Sequence, residues 1–301
     1  MTDMLEFTDA HGVRISYRRW MPADTPRAVV QIAHGASEHS GRYARFAEFL
    51  TGLGYAVYAD DHRGHGATAE ATGVGRAGPG GWLAMVDDLL ELGDIARKEC
   101  DDPPLVLFGH SMGSFMSQQF AQRHGDDLAG LVLSGSAGGL AAIDETIALL
   151  EAVAAQGGGD QPAPIFGPLN AAFEPARTPF DWLSRDTTEV DKYVADPMCG
   201  EAAPLTIDFV LDMIRNGAQT WVPENEKRLP PDLPVLMITG EADPVSDNAR
   251  TVRELEARYR ANGMQDVTAL YFPEARHELL NETNRDDVQR DIAAWLDRVT
   301  A

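Results

Sequence analysis

The chain has 301 residues, with 47 acidic against 25 basic side chains and a formal net charge of −22. That charge repels nucleic-acid backbones and anionic membrane surfaces, so neither is an expected partner, and its ordinary meaning is a solubilising surface. A hydrophobic content of 44% with 24% charged residues suits a globular protein with ample core material, and no stretch approaches the roughly 18 apolar residues of a membrane span. Asp3 and Glu6 stand where a secretory leader would carry basic residues, which makes the cytoplasm the expected location. Cys100 and Cys199 are too few for a disulfide framework and form no CxxC pattern, so both are expected to be structural thiols.

In chain order, Val13 to Trp20 alternates like a half-exposed strand, and Ala28 to Ala33 is an apolar run like a buried one. Gly41 to Leu53 predicts a helix with Phe46, Phe49, Leu50 and Leu53 on one face. A strand over Tyr55 to Ala59, a helix over Trp82 to Cys100 and a strand over Leu105 to Phe108 follow. A helix from about Ser111 to His124 leads to a strand at Leu131 to Leu133. The alternation stops near Gly138 and resumes with a strand over Pro234 to Ile238, a helix over Asp247 to Asn262, a strand over Val267 to Phe272 and a helix over Asn284 to Val299. Strands alternating with helices imply a mostly parallel sheet joined by right-handed crossovers.

The intervening segment differs in texture, with scattered prolines, Gly157-Gly-Gly159, and helical patterns over Ala141 to Ala155 and Pro204 to Asn216. It is expected to be a largely helical cap over 137–230, inserted between two parts of one core at 1–136 and 231–301. The glycine tract offers flexibility at one place or forms a surface loop.

The sharpest motif is Gly109-His-Ser-Met-Gly113, between the apolar run Leu105-Val-Leu-Phe108 and a helical pattern. A serine on a strand-to-helix turn holds an unfavourable backbone and needs small residues two before and two after it. The turn lifts the Ser111 hydroxyl over the strand end and sets a helix N-terminus beside the place where negative charge develops. A serine nucleophile needs a base held by an acid, and with this kind of elbow the chain order is serine, acid, histidine. The Pro234 to Ile238 strand runs into Thr239-Gly-Glu-Ala-Asp-Pro244, where Asp243 is the expected acid. Glu241 and Asp247 are its local competitors, Asp247 suiting a helix N-cap. His277 follows the last strand and alone among the eight histidines lies C-terminal to Asp243.

The run ending at Ala33 leads into His34-Gly-Ala-Ser-Glu-His-Ser-Gly-Arg-Tyr43. Gly35 lets the backbone aim the Ala36 N–H inward, where with the Met112 N–H it would form an oxyanion hole. His34, His39, His62, His65 and His110 form no helical pair at a zinc spacing, so they are expected to tie loops together rather than hold a metal.

Three motifs, His34 to Tyr43, Asp61-His-Arg-Gly-His-Gly66 and Gly109 to Gly113, together with Phe180-Asp-Trp-Leu-Ser-Arg185 and Asp196-Pro-Met-Cys-Gly200, resemble the monoacylglycerol lipase and bacterial lysophospholipase-like branch of the α/β-hydrolases. The resemblance implies an α/β-hydrolase fold, with a mostly parallel central sheet flanked by helices and an inserted helical cap. It implies a serine esterase using Ser111, Asp243 and His277, with Ala36 and Met112 as oxyanion donors and no cofactor or metal. It further implies that Glu38 and Arg42 brace the oxyanion loop. Ser37 and Ser114 depart from the pattern, standing where glycines are common.

The expected partner is a small acyl ester. Phe173, Phe180, Trp182, Phe209, Met213 and Trp221 suit either an acyl chain or the cap's own core. A peptidase or thioesterase on the same fold, or a non-catalytic ligand-binding relative, is the alternative; no triad member is lost, which separates the last.

Overall fold

The architecture follows from where the mainly apolar runs fall, and a computed structural model describes it for residues 3–165 and 167–301. The first elements are β1 (Asp3–Thr8), β2 (Arg14–Trp20), β3 (Ala28–Ala33), α1 (Ala44–Gly52), β4 (Tyr55–Asp60), a single turn α2 (Ala69–Thr72) and α3 (Gly81–Glu99). Then come β5 (Leu105–His110), α4 (Met112–His124) and β6 (Gly130–Ser134). Four helices occupy the span before the next strand: α5 (Ile143–Val153), α6 (Thr187–Ala195), α7 (Ile207–Thr220) and α8 (Pro223–Glu226). The chain closes with β7 (Val235–Gly240), α9 (Arg250–Ala261), β8 (Val267–Phe272) and α10 (Arg285–Val299).

The strands form one eight-stranded sheet in the order β1-β2-β4-β3-β5-β6-β7-β8. β1, β2 and β4 pair antiparallel, and every pairing from β4 to β8 is parallel. Every residue of β3, β4, β5, β6 and β7 is buried, as expected of parallel strands covered on both faces. Alternate side chains feed two cores. Val29 and Leu107 pack with Leu89 of α3, Met116 of α4 and Leu255 of α9, whereas Val30, Val106 and Phe108 pack with Phe46 of α1 and Ile292 of α10. Truncating Phe108 to alanine would cost about 3–5 kcal/mol.

Strand β1 lies outside the elements expected from sequence. Among its described side chains only Leu5 and Phe7 turn to the core, both partly buried, and two apolar residues are too few to register as an alternation. Helix α6 was likewise not expected; it is short and capped by Asp186, whose carboxylate accepts the Thr188 N–H at 3.0 Å.

Two local expectations need correction. Asp247 does not cap α9. It opens a left-handed run with Asn248 and Ala249, and its carboxylate binds Arg250 Nε at 2.7 Å, while Ser246 Oγ takes the Ala249 N–H at 2.9 Å. Nor is the Gly157–Gly159 tract only a surface loop. Gly158 and Gly159 are buried, and the Gly159 carbonyl accepts the Asp208 N–H at 2.9 Å. A Cβ on Gly159 would strike the Asp208 carboxylate, so the glycine is there for close approach to the start of α7.

The helical cap lies over the sheet's C-terminal edge. Ile207, Val210 and Ile214 of α7 join the main core, whereas Phe180, Trp182, Leu183, Val190, Tyr193 and Cys199 form a cluster of their own. Among the described residues no helix is long and apolar enough to cross a membrane.

Candidate active site

Four loops at the C-terminal ends of parallel strands converge here, where open α/β sheets place their ligands. After β5 the chain turns at Ser111, which holds φ 51° and ψ −121°, and enters α4 at Met112. Such a backbone costs a non-glycine residue on the order of 1–3 kcal/mol. Its neighbours are fixed by space. A Cβ on Gly113 would run into the Ala33 and His34 carbonyls, and one on Gly109 would lie 2.6 Å from the Gly113 carbonyl oxygen. The Ser111 N–H donates to the Ser134 carbonyl at 3.0 Å, tying the turn to β6.

Asp243, just past β7, and His277, just past β8, are both buried. The His277 Nδ1–H donates to Asp243 Oδ1 at 3.0 Å, and the same oxygen accepts the Val245 N–H at 2.9 Å. Burial alone would lower the imidazole's pKa; the Asp243 carboxylate outweighs it, with smaller help from Glu278 and Glu38, so His277 titrates above the ordinary 6.5. The rings of Trp182 and His110 pack against it at 4.9 and 4.8 Å. His277 and Ser111 line one small recess, together with Gly35 and Ala36. His110 itself is pushed down to about 4 by burial and then by His277, which leaves it neutral beside the pair.

The loop after β3 wraps the third side. A Cβ on Gly35 would come within 3.2 Å of Ser111 Cβ and 2.9 Å of Glu38 Oε1, so only glycine lets this backbone pass so near the serine. The Gly35 N–H donates to Glu38 Oε1 at 2.5 Å, and Tyr43 Oη donates to the same oxygen at 2.8 Å. Arg42 bridges Glu38 and Glu278, at 2.5 Å to each. Burial would raise the Glu38 carboxyl, but Arg42, His110 and these hydrogen bonds hold it at about 2. Glu38 and Arg42 therefore do brace the loop. Glu278, which sequence reasoning did not single out, is the anchor that links it to the His277 loop; its only signal was adjacency to the histidine. Ser37 accepts the left-handed backbone that glycine would take, at φ 51°. Its carbonyl is held by the Gly200 N–H at 2.9 Å and by Tyr193 Oη at 3.0 Å.

Behind the serine opens a cavity of about 530 Å³, lined by Ala36, Met112, Phe115, Trp182 and Met213 among others. Of the cap side chains named from sequence, Trp182 and Met213 reach it. Phe180 belongs to the cap's cluster, Phe209 packs on His65 at 5.6 Å between ring centres, Trp221 on Phe115 at 5.4 Å, and Phe173 lies under Arg276.

His34 ties its loop to the one that follows β4. His34 Nδ1–H donates to the Gly35 carbonyl at 2.7 Å, its Nε2 accepts the His62 N–H at 3.0 Å, and the two rings stack at 4.0 Å. Among the described residues one cluster brings candidate ligand atoms within 4.8 Å of one another, His39, Asp196 and Cys199. It suits a metal poorly. His39 Nδ1 accepts the Gly41 N–H, so the ring proton sits on Nε2 and points at Asp196, 3.1 Å away. A cation there would need an imidazolate, and burial pushes the Cys199 thiol up, away from thiolate.

Comparison with known proteins agrees with this geometry. Residues 24–284 match the family model described as serine aminopeptidase, S33. The chain is 31% identical to a monoacylglycerol lipase of Mycolicibacterium smegmatis, over 96% of this chain and 95% of that one. It is 30% identical to the human monoglyceride lipase, over 99% of this chain and 92% of that one. A crystal structure of a thermostable carboxyl esterase from Bacillus coagulans, in complex with glycerol, superposes with a TM-score of 0.91 at 28% identity, covering 100% of this chain and 99% of that one. The chain thus belongs to the serine aminopeptidase S33 family, as an α/β-hydrolase-fold hydrolase closely related to monoacylglycerol lipases and lysophospholipase-like serine hydrolases.

Proposed function

We propose that the chain is a serine esterase that hydrolyses carboxylic esters of monoacylglycerol or lysophospholipid type through Ser111, His277 and Asp243. The observation that carries this reading is Ser111 on its strained turn, opening onto an apolar cavity of about 530 Å³ with the buried His277–Asp243 pair beside it. A cavity of that size takes an acyl chain without displacing the polar groups of the site.

In this mechanism Ser111 Oγ attacks the ester carbonyl as His277 Nε2 takes its proton. Asp243, fixed on Nδ1–H, holds the tautomer that leaves Nε2 free to accept and stabilises the imidazolium. The Ala36 and Met112 N–H groups receive the oxyanion. The imidazolium then protonates the leaving alcohol, and water, deprotonated by the same nitrogen, releases the acid. The cap, taken as residues 137–230 between core parts 1–136 and 231–301, supplies Met213 and Trp182 to the acyl wall and gates entry.

An aminopeptidase reading needs unpaired acids to receive a substrate amine. Asp247 is the one acid among the described residues lining the cavity, and Arg250 neutralises it at 2.7 Å; Glu38 and Glu278 are both engaged by Arg42. The test is a panel of monoacylglycerols, lysophospholipids, thioesters and amino-acid anilides with purified protein. Preferential turnover of the glyceryl or lysophospholipid esters is expected; preferential cleavage of the anilides would overturn the ester reading.

A further inference from the structure

Beneath the nucleophile turn runs a directional chain of hydrogen bonds, its middle links buried and its two ends partly so. The Trp221 indole N–H donates to Gln118 Oε1 at 3.0 Å, and Tyr259 Oη approaches the same oxygen at 3.4 Å. Gln118 Nε2 donates to Ser136 Oγ at 3.0 Å and to the Ala137 carbonyl at 3.1 Å. Ser136 Oγ and Ser114 Oγ are 2.8 Å apart, and Ser114 Oγ lies 2.5 Å from the Ser111 carbonyl oxygen. A hydroxyl has one proton, and a carbonyl only accepts. Ser114 therefore gives its proton to Ser111 C=O, and Ser136 gives its own to Ser114. Along the links from Trp221 to Ser111 each donor then points toward the nucleophile.

We propose that this relay, from Trp221 through Gln118, Ser136 and Ser114, strengthens the Met112 N–H as an oxyanion donor and makes its strength depend on how the cap is docked. The inference rests on the reading of Ser111 as nucleophile. Its physical basis is that the Ser111 carbonyl and the Met112 N–H are the two ends of one peptide unit. Charge drawn onto the oxygen by hydrogen bonds leaves the N–H more positive, and each link in a chain polarises the next by roughly 10–30%. The Ser111 carbonyl accepts the Ser114 N–H at 2.8 Å and the Phe115 N–H at 3.3 Å as well as the hydroxyl. Ser114, Ser136, Gln118 and Tyr259 are essentially inaccessible to solvent, so the middle of the chain is shielded from water. The far end crosses from cap to core, since Trp221 closes α7, a cap helix, while Gln118 sits on α4 in the core. Ser114 is a positioning residue here. It supplies a hydroxyl where the family resemblance has glycine, and a glycine would leave the relay without its last link.

The experiment compares wild type with Ser114→Ala, Ser136→Ala, the double variant, and Trp221→Phe, which removes the N–H and keeps a ring against Phe115. Each is assayed for kcat and KM on a short p-nitrophenyl ester, for affinity toward a tetrahedral boronic-acid inhibitor, and for melting temperature. Ser114→Ala is expected to lower kcat roughly 3- to 10-fold, less than the about 100-fold lost with an oxyanion donor itself. KM should stay within about 2-fold, and boronate affinity should weaken by the same factor as kcat. The double variant should be no worse than Ser114→Ala alone, and Trp221→Phe should cost about 2-fold. Unchanged kcat in Ser114→Ala, or a loss of kcat with boronate affinity intact, overturns the relay. Failure of wild type to react with a fluorophosphonate at Ser111 overturns the parent reading and the relay with it.

Discussion

Asp243 and His277 stand at the ends of neighbouring parallel strands, and Asp243 Oδ1 receives the His277 Nδ1–H at 3.0 Å with both side chains buried. The imidazole works as a base only when neutral, and its pKa lies above the ordinary 6.5 because the carboxylate outweighs burial. Activity in wild type should therefore fall as pH drops through a value above 6.5. In Asp243→Asn the opposing burial is left alone, so the acid limb of kcat/KM should move to lower pH while kcat falls on the order of 10⁴-fold. An acid limb that stays put in this variant would mean that another group sets the histidine. Asp247→Asn is the matched control. Its carboxylate and Arg250 are both more than half exposed, so activity should persist and stability change by less than about 0.5 kcal/mol.

Met213 and Phe209 share α7 and separate lining from packing. Met213 faces the cavity behind Ser111, whereas Phe209 is buried on His65. Met213→Ser is expected to shift the preferred acyl chain length at nearly constant melting temperature. Phe209→Ser should lower stability by about 3–5 kcal/mol and slow long and short esters alike. A panel of esters of graded chain length, measured beside thermal melts, distinguishes the two; identical profiles would remove α7 from the acyl wall.

Glu38 makes the loop after β3 sensitive to acid. Its folded pKa, about 2, lies below the usual 4.5, so its contribution to stability is complete above about pH 5 and is lost as pH falls toward 2. Glu38→Gln should melt lower than wild type at neutral pH, and the gap should narrow as pH falls from about 5 to 3. A constant gap across that range would deny the Arg42–Glu38 charge pair its part in holding the loop.

Much of this was readable in the chain because the signals are local. The largely apolar runs of β3, β4 and β5 dictate central parallel strands, and the glycines around Ser111 mark a turn where a Cβ has no room. What escaped depends on contacts far apart in sequence. Strand β1 is defined by its pairing to β2 rather than by its two inward side chains. Glu278 gains its role only when Arg42, 236 residues away, reaches it. Asp247 had the composition of a helix cap, but the left-handed run through Ala249 delays the helix and hands the capping hydrogen bond to Ser246. Phe209 and Met213 share one apolar stripe, and only packing decides which meets His65 and which meets the cavity.

The most direct test is covalent labelling. Purified wild-type protein is treated with a fluorophosphonate, digested and mapped by mass spectrometry, alongside Ser111→Ala. A single adduct on Ser111, absent from a folded Ser111→Ala variant whose ester turnover has dropped on the order of 10³-fold or more, is the predicted result. An unlabelled Ser111 in folded wild type, or a Ser111→Ala variant that still turns over esters near the wild-type rate, would contradict the account.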